Sequence, residues 1–194
     1  MMALEIEQKF IIHGEDGFKK VLGQADGPVI SRYIKQAYMV DNEAQGALWR
    51  VRLNTPLNTD GLPSKTEHSS ACWTFKQKTP DPMTRIEIEQ PLDVAVAKEL
   101  VEKSSRIVEK IRYIVPFKGQ NFELDEFKGE HEGLYLLELE KSSRETPITL
   151  PAGVSKADEV TGVKEYSNDE LARKTEFLRS IGQDKAKLIK SFKK

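Results

Sequence analysis

Apolar and polar residues alternate along much of this chain with a period of two. Leu4, Ile6 and Phe10 fall on one side of an extended segment, and Glu5, Glu7 and Lys9 on the other, because successive side chains of a strand leave opposite faces. The alternation returns in Trp49-Arg50-Val51-Arg52-Leu53, Trp73-Thr74-Phe75-Lys76-Gln77-Lys78 and Arg85-Ile86-Glu87-Ile88-Glu89. It returns again in Lys110-Ile111-Arg112-Tyr113, Phe122-Glu123-Leu124-Asp125 and Leu137-Glu138-Leu139-Glu140. Segments of this kind predict strands with one apolar and one charged face. Helical spacing is found elsewhere: Asp93 to Ser104 sets Val94, Ala97, Leu100 and Val101 on one side, and Gly17 to Leu22 is a shorter candidate. Ser167-Asn168-Asp169-Glu170 fits a capping box that opens a further helix.

The charged faces carry the functional argument. A solvated sheet face mixes Thr, Ser, Gln and Lys, whereas the alternating sites here are almost all Arg, Lys and Glu. That selectivity points to a shared interior, with the sheet closing into a barrel, its polar face inward and its apolar face covered by helices. Unpaired buried ions cost several kcal/mol each, so something must neutralise them. Arg and Lys suit a polyanion, and clustered carboxylates without His or Cys suit a hard, oxygen-bound cation, Mg²⁺ or Mn²⁺ before Zn²⁺. Mutual pairing accounts for part of the set, Lys78, Glu123 and Arg85 above all.

The ordered series E-x-E-x-K (Glu5, Glu7, Lys9), R-x-R, the lysine strand, E-x-E, K-x-R and a late E-x-E resembles the CYTH family, the triphosphate tunnel metalloenzymes. The likeness runs from about Leu4 to about Ala172 and is nearest to the bacterial inorganic triphosphatases. It implies an α+β fold, a closed eight-stranded antiparallel β-barrel with a charged interior and flanking helices. Residue by residue, it implies phosphate contacts from Lys9, Arg50, Arg52, Lys76, Arg85, Lys110, Arg112 and Lys164, and metal binding by Glu5, Glu7, Glu138 and Glu140. Glu87, Glu89, Asp125 and Lys78 are second-line candidates. Lys9 and Tyr38 match the pair that acts on the attacking water, with Tyr33 nearby in the sequence. Lys164-Glu165-Tyr166 departs from the family, where a cation often stands in place of Glu165.

Composition narrows the choice. The chain has 194 residues, with 30 basic and 31 acidic ones for a net charge of −1, which argues against a nucleic-acid or membrane surface. The expected division is a tunnel domain over residues 1–174 and a lysine-rich helical extension over 175–194, whose Lys185, Lys187, Lys190, Lys193 and Lys194 form a solvated face. No signal-like or membrane-spanning apolar run is found, and the expectation is a cytoplasmic monomer or homodimer. Cys72 has no disulfide partner, and His13, His68 and His131 read as surface residues. A glycine-rich phosphate loop is absent. Asn54 to Ala71 exceeds the needs of a hairpin and reads as a connector or a lid over the tunnel mouth. The expected activity is metal-dependent hydrolysis of inorganic tripolyphosphate. Alternatives are an adenylyl cyclase, a thiamine triphosphatase, or a non-catalytic polyphosphate- or nucleotide-binding module.

Overall fold

The structure, a computed structural model, describes residues 2–42, 47–58, 60–64, 69–80 and 84–191. Eight strands form one antiparallel sheet: β1 (Met2–Ile12), β2 (Ile30–Asn42), β3 (Ala47–Pro56), β4 (Ser70–Lys78), β5 (Thr84–Pro91), β6 (Ile107–Phe117), β7 (Gln120–Phe127) and β8 (Tyr135–Glu140). Three helices accompany them, α1 (Gly14–Leu22), α2 (Val94–Lys103) and α3 (Asn168–Ser191), so the fold is α+β as expected. The sheet curls until its pairing order, β1-β5-β4-β3-β2-β6-β7-β8, returns to β1.

The return is staggered. Met2 to Ile6 of β1 pair with β5, and Glu7 to Ile12 pair with β8. Each half of β1 therefore carries one ladder, and the closed barrel expected from the sequence is corrected to a curled sheet that opens beside this seam. Backbone groups on the freed edge still need partners. Lys9 N–H donates to Thr161 Oγ1 at 3.0 Å and its carbonyl accepts from Val160 N–H at 2.8 Å, so the segment before α3 lies along the opened wall.

Period-two patterning places two apolar layers outside the curl. Phe10, Phe122, Leu124, Leu137 and Leu139 pack with Phe18 and Val21 of α1, and with Val154. Ala37, Val51, Leu53 and Ile107 pack with Ala97 and Val101 of α2. A third cluster lies elsewhere: Leu171 and Ala172 of α3 are buried with Tyr38, Val108, Phe127 and Leu136. Tyr38 and Leu136 share their face with the charged residues, as their register partners Arg50 and Asp125 show. The start of α3 thus plugs one end of the curl.

Local chemistry fixes the connections. Lys118 and Gly119 both adopt left-handed backbone, at φ 49° and 76°, which is the requirement of the two-residue turn between β6 and β7. α2 begins after Asp93, whose carboxylate accepts from the N–H groups of Ala95 and Val96. Ser167 does not act as the sequence suggested in one respect, since its hydroxyl donates to the Lys164 carbonyl at 2.7 Å. α3 continues without a break across residue 174. Asn54 to Pro56 belong to β3 and Ser70 to β4. Between them, Asn58 Oδ1 accepts from Asp60 and Leu62 N–H, while residues 59 and 65–68 lie outside the described residues.

Asp93→Ala should remove about 1 kcal/mol of stability. The expected result is a lower urea midpoint with an unchanged slope; an unchanged midpoint would show that the cap contributes nothing.

Candidate active site

The inward face of the sheet is built pair by pair from the strand register. On β3, Arg50 stands between Tyr38 and Thr74, and Arg52 between Gln36 and Cys72. On β4, Lys76 faces Glu87 of β5, and their side chains meet at 2.7 Å. Arg50 donates to Thr74 Oγ1 at 3.1 Å and lies 3.6 and 3.7 Å from Glu87 and Glu89. Across the curl, Lys9 of β1 faces Glu138 of β8, Nζ to Oε1 2.9 Å. Glu7 faces Glu140 in the same ladder.

Together these residues line a cavity of about 370 Å³. Of the predicted site residues it gathers Glu7, Lys9, Tyr38, Arg50, Arg52, Lys76, Glu87, Glu89, Arg112, Glu138 and Glu140. Glu123, Lys141, Asn168 and Asp169 complete the polar lining, the last two from the first turn of α3. A smaller annexe of about 100 Å³ shares Glu7, Lys9, Lys76 and Asp169 and extends to Lys164. Lys164 is otherwise exposed and sits 3.3 Å from Glu170.

Lys110 corrects the sequence reading. Its side chain is fully buried, 2.5 Å from an equally buried Asp125, and neither residue lines the cavity. Asp125 also accepts from Arg112, at 2.7 Å from Nε and 2.6 Å from Nη2. Arg112 reaches Glu138 at 2.7 Å and Glu123 as well. These two residues form a foundation beneath the cavity rather than part of its wall. Glu5, Lys78 and Arg85 stand in register, Arg85 opposite both of the others, and their side chains lie outside the described residues.

Burial and neighbouring charge pull the titratable groups in opposite directions. Burial opposes ionisation of Glu138, but Lys9, Arg112 and Lys110 outweigh it and hold the carboxyl well below the usual range. For Lys110, burial and the adjacent Arg112 dominate and push the ammonium down to about 8. Burial, opposed by Arg50, pushes the Tyr38 phenol up to about 12. Tyr38 is therefore a neutral hydrogen-bond donor within the cavity. Tyr33 is on the outer face with its hydroxyl on Glu109 and plays no part there.

The carboxylates fit an oxygen-seeking cation. Glu7 and Glu140 are directly opposed, an arrangement that like charges disfavour, and Glu138 lies beside them with neither His nor Cys among the acids. Among the described residues, no three such groups already surround one point; Glu5, with its side chain outside the description, belongs to the same face.

Sequence reasoning missed Asn168 and Asp169, which only the plugging of the curl by α3 brings to the site. Thr74 and Gln36 were also missed, although they share the alternation of Lys76 and Tyr38. His131, read as a surface residue, has its Nε2 2.9 Å from the Leu171 carbonyl and 3.0 Å from Thr175 Oγ1, which fastens α3 in place.

No family model matches the chain. An inorganic triphosphatase from Acetivibrio thermocellus is 30% identical over 174 residues, 89% of this chain and 95% of that one. The solved structure of the inorganic triphosphatase NE1496 superposes with a TM-score of 0.54 at 28% identity, over 87% of this chain and 93% of the other. PH1819 from Pyrococcus horikoshii OT3, at 24% identity and a TM-score of 0.52 over 73% and 80% of the two chains, shares the fold. A curled sheet with a charged lining and a relative that matches nearly end to end lead to one assignment: the chain belongs to the CYTH family and is a homologue of its inorganic triphosphatases.

Proposed function

We propose that this protein hydrolyses inorganic tripolyphosphate to pyrophosphate and orthophosphate with Mg²⁺ or Mn²⁺. The observation that carries this reading is the division of the cavity lining. Arg50, Arg52 and Lys76 come from β3 and β4, while Glu7, Glu138 and Glu140 come from β1 and β8. In the pairing order β3 stands opposite β8, so a polyanion gripped by Arg50, Arg52 and Lys76, whose charge Glu87 and Glu89 offset in part, faces the carboxylates of β1 and β8, where a metal can bridge to it. The cavity's apolar lining is limited to Ile6, Leu48 and the Tyr38 ring. That leaves little to hold the organic part of ATP or thiamine triphosphate.

In the proposed reaction a water oxygen forms a bond to the terminal phosphorus as the bridging P–O bond breaks, and pyrophosphate leaves. Arg50, Arg52, Lys76 and Arg112 hold the phosphoryl oxygens and meet the charge that develops on them, with Lys164 reaching in from the annexe and Arg85 a further candidate from the family likeness. Glu5, Glu7, Glu138 and Glu140 would hold the metal, which when bound neutralises phosphate charge and lowers the pKa of a bound water. Lys9 is fixed by Glu138, and with the neutral phenol of Tyr38 it holds the attacking water in line. Lys110 and Asp125 act through Arg112.

Phosphate release from tripolyphosphate, ATP and thiamine triphosphate, measured in parallel with Mg²⁺, Mn²⁺ or chelator, tests the reading. Rapid metal-dependent release from tripolyphosphate alone is expected. Cyclic AMP formed from ATP, or inactivity on all three, would overturn it. Glu7→Gln and Glu138→Gln should each lower kcat by at least about a hundredfold, whereas Arg52→Ala should chiefly raise KM. Tyr38→Phe should lower kcat yet leave the alkaline limb of the pH profile in place up to pH 10, because the phenol stays protonated until about 12. A displaced limb in Tyr38→Phe would show that a phenolate takes part.

A further inference from the structure

The cations of the cavity are not all held in the same way. Lys76 is paired with Glu87, Lys9 with Glu138, Arg112 with Asp125 and Glu138, and Arg50 lies within 4 Å of Glu87 and Glu89. Arg52 differs: among the described residues no carboxylate lies within ion-pair distance, and its Nε donates instead to Gln36 Oε1 at 3.2 Å. Gln36 is wholly buried, and its Nε2 has no hydrogen-bond partner. A buried amide left half satisfied is unfavourable. An apolar side chain would avoid that penalty, and a glutamate of nearly the same shape would pair with the arginine. Glutamine, unlike either, gives Arg52 an acceptor without giving it a counter-charge.

We propose that Gln36 is a positioning residue that sets affinity for the triphosphate: it fixes the Arg52 guanidinium through a neutral acceptor and so leaves its charge uncompensated for the ligand. The surroundings make that charge unusually available. Burial, Arg50 and Arg112 disfavour the Arg52 cation and outweigh the opposing influence of Cys72 and of Glu89, a carboxylate beyond ion-pair distance, so an incoming polyanion relieves repulsion as well as gaining hydrogen bonds. This inference rests on the triphosphatase reading and assigns a role to a residue that touches the arginine rather than the reacting atoms.

Two substitutions place a carboxylate beside Arg52 from opposite neighbours, Gln36→Glu on β2 and Cys72→Asp on β4, both in register with the arginine. Gln36→Met and Cys72→Asn are uncharged controls. KM and kcat for tripolyphosphate, calorimetric binding of tripolyphosphate in chelator, and thermal midpoints are measured for all four. Gln36→Glu and Cys72→Asp should each raise KM and weaken binding about tenfold or more, with kcat changed less. The salt dependence of binding should become shallower, a change that a purely structural role would not produce. Both controls should lose less affinity than their charged counterparts. Should Gln36→Glu fail to fold, Cys72→Asp carries the test. Near-wild-type affinity in a folded carboxylate variant, or equal losses in the controls, would overturn the inference while leaving the triphosphatase reading intact. A wild-type protein that neither cleaves nor binds tripolyphosphate would overturn both.

Discussion

One guanidinium ties the acidic side of the molecule together. Arg112 on β6 donates to Glu123 and Asp125 on β7 and to Glu138 on β8. Asp125 in turn accepts from buried Lys110, and Glu138 stands against Lys9 of β1. Burying these ions singly would be prohibitive, and burying them as a connected set is tolerable because each carboxylate finds a cation. The cavity depends on this knot. It keeps Glu138 ionised, fixes Lys9, and joins the strands that supply the carboxylate wall.

The other wall is neutralised separately. Lys76 and Arg50 are matched by Glu87 and Glu89 of the adjoining β5. Compensation is therefore local on each side, which is how the chain gathers so many cations at one site with a net charge of only −1. It also bears on the absence of convergent metal ligands among the described residues: Glu138 is engaged with Lys9 and Arg112, cations that an arriving polyanion would draw away.

Alternation in the sequence revealed which face each strand turns inward, since period two is a property of the extended backbone itself. It could not reveal depth along the curl. Lys110 and Arg112 have the same parity, yet one is sealed beneath the site and the other lines it. β2 was not legible as a charged strand because Ile34, Gln36 and Tyr38, its buried residues on the inward face, carry no charge, and only the family likeness pointed to Tyr38. The staggered seam was hidden for a different reason. Nothing in Glu5-Ile6-Glu7 marks the point at which β1 exchanges one partner for another. α2 was legible because Asp93, the apolar spacing and Ser104 agree on its limits. The role of His131 depends on the docking of α3, a contact between residues forty apart.

The stagger at β1 also bears on the order in which the site is made. β1 precedes the other seven strands in the chain, yet its second half pairs with residues 135–140 and bridges to Glu159, and the Lys9 N–H meets its acceptor on Thr161 152 residues later. Contacts of such separation form late because the intervening chain must first be brought together. The segment holding Glu7 and Lys9 thus remains an unpaired edge through most of synthesis. Its ionised residues make that edge a poor template for another chain, so the charges that line the finished cavity also protect the strand that carries them while it has no partner.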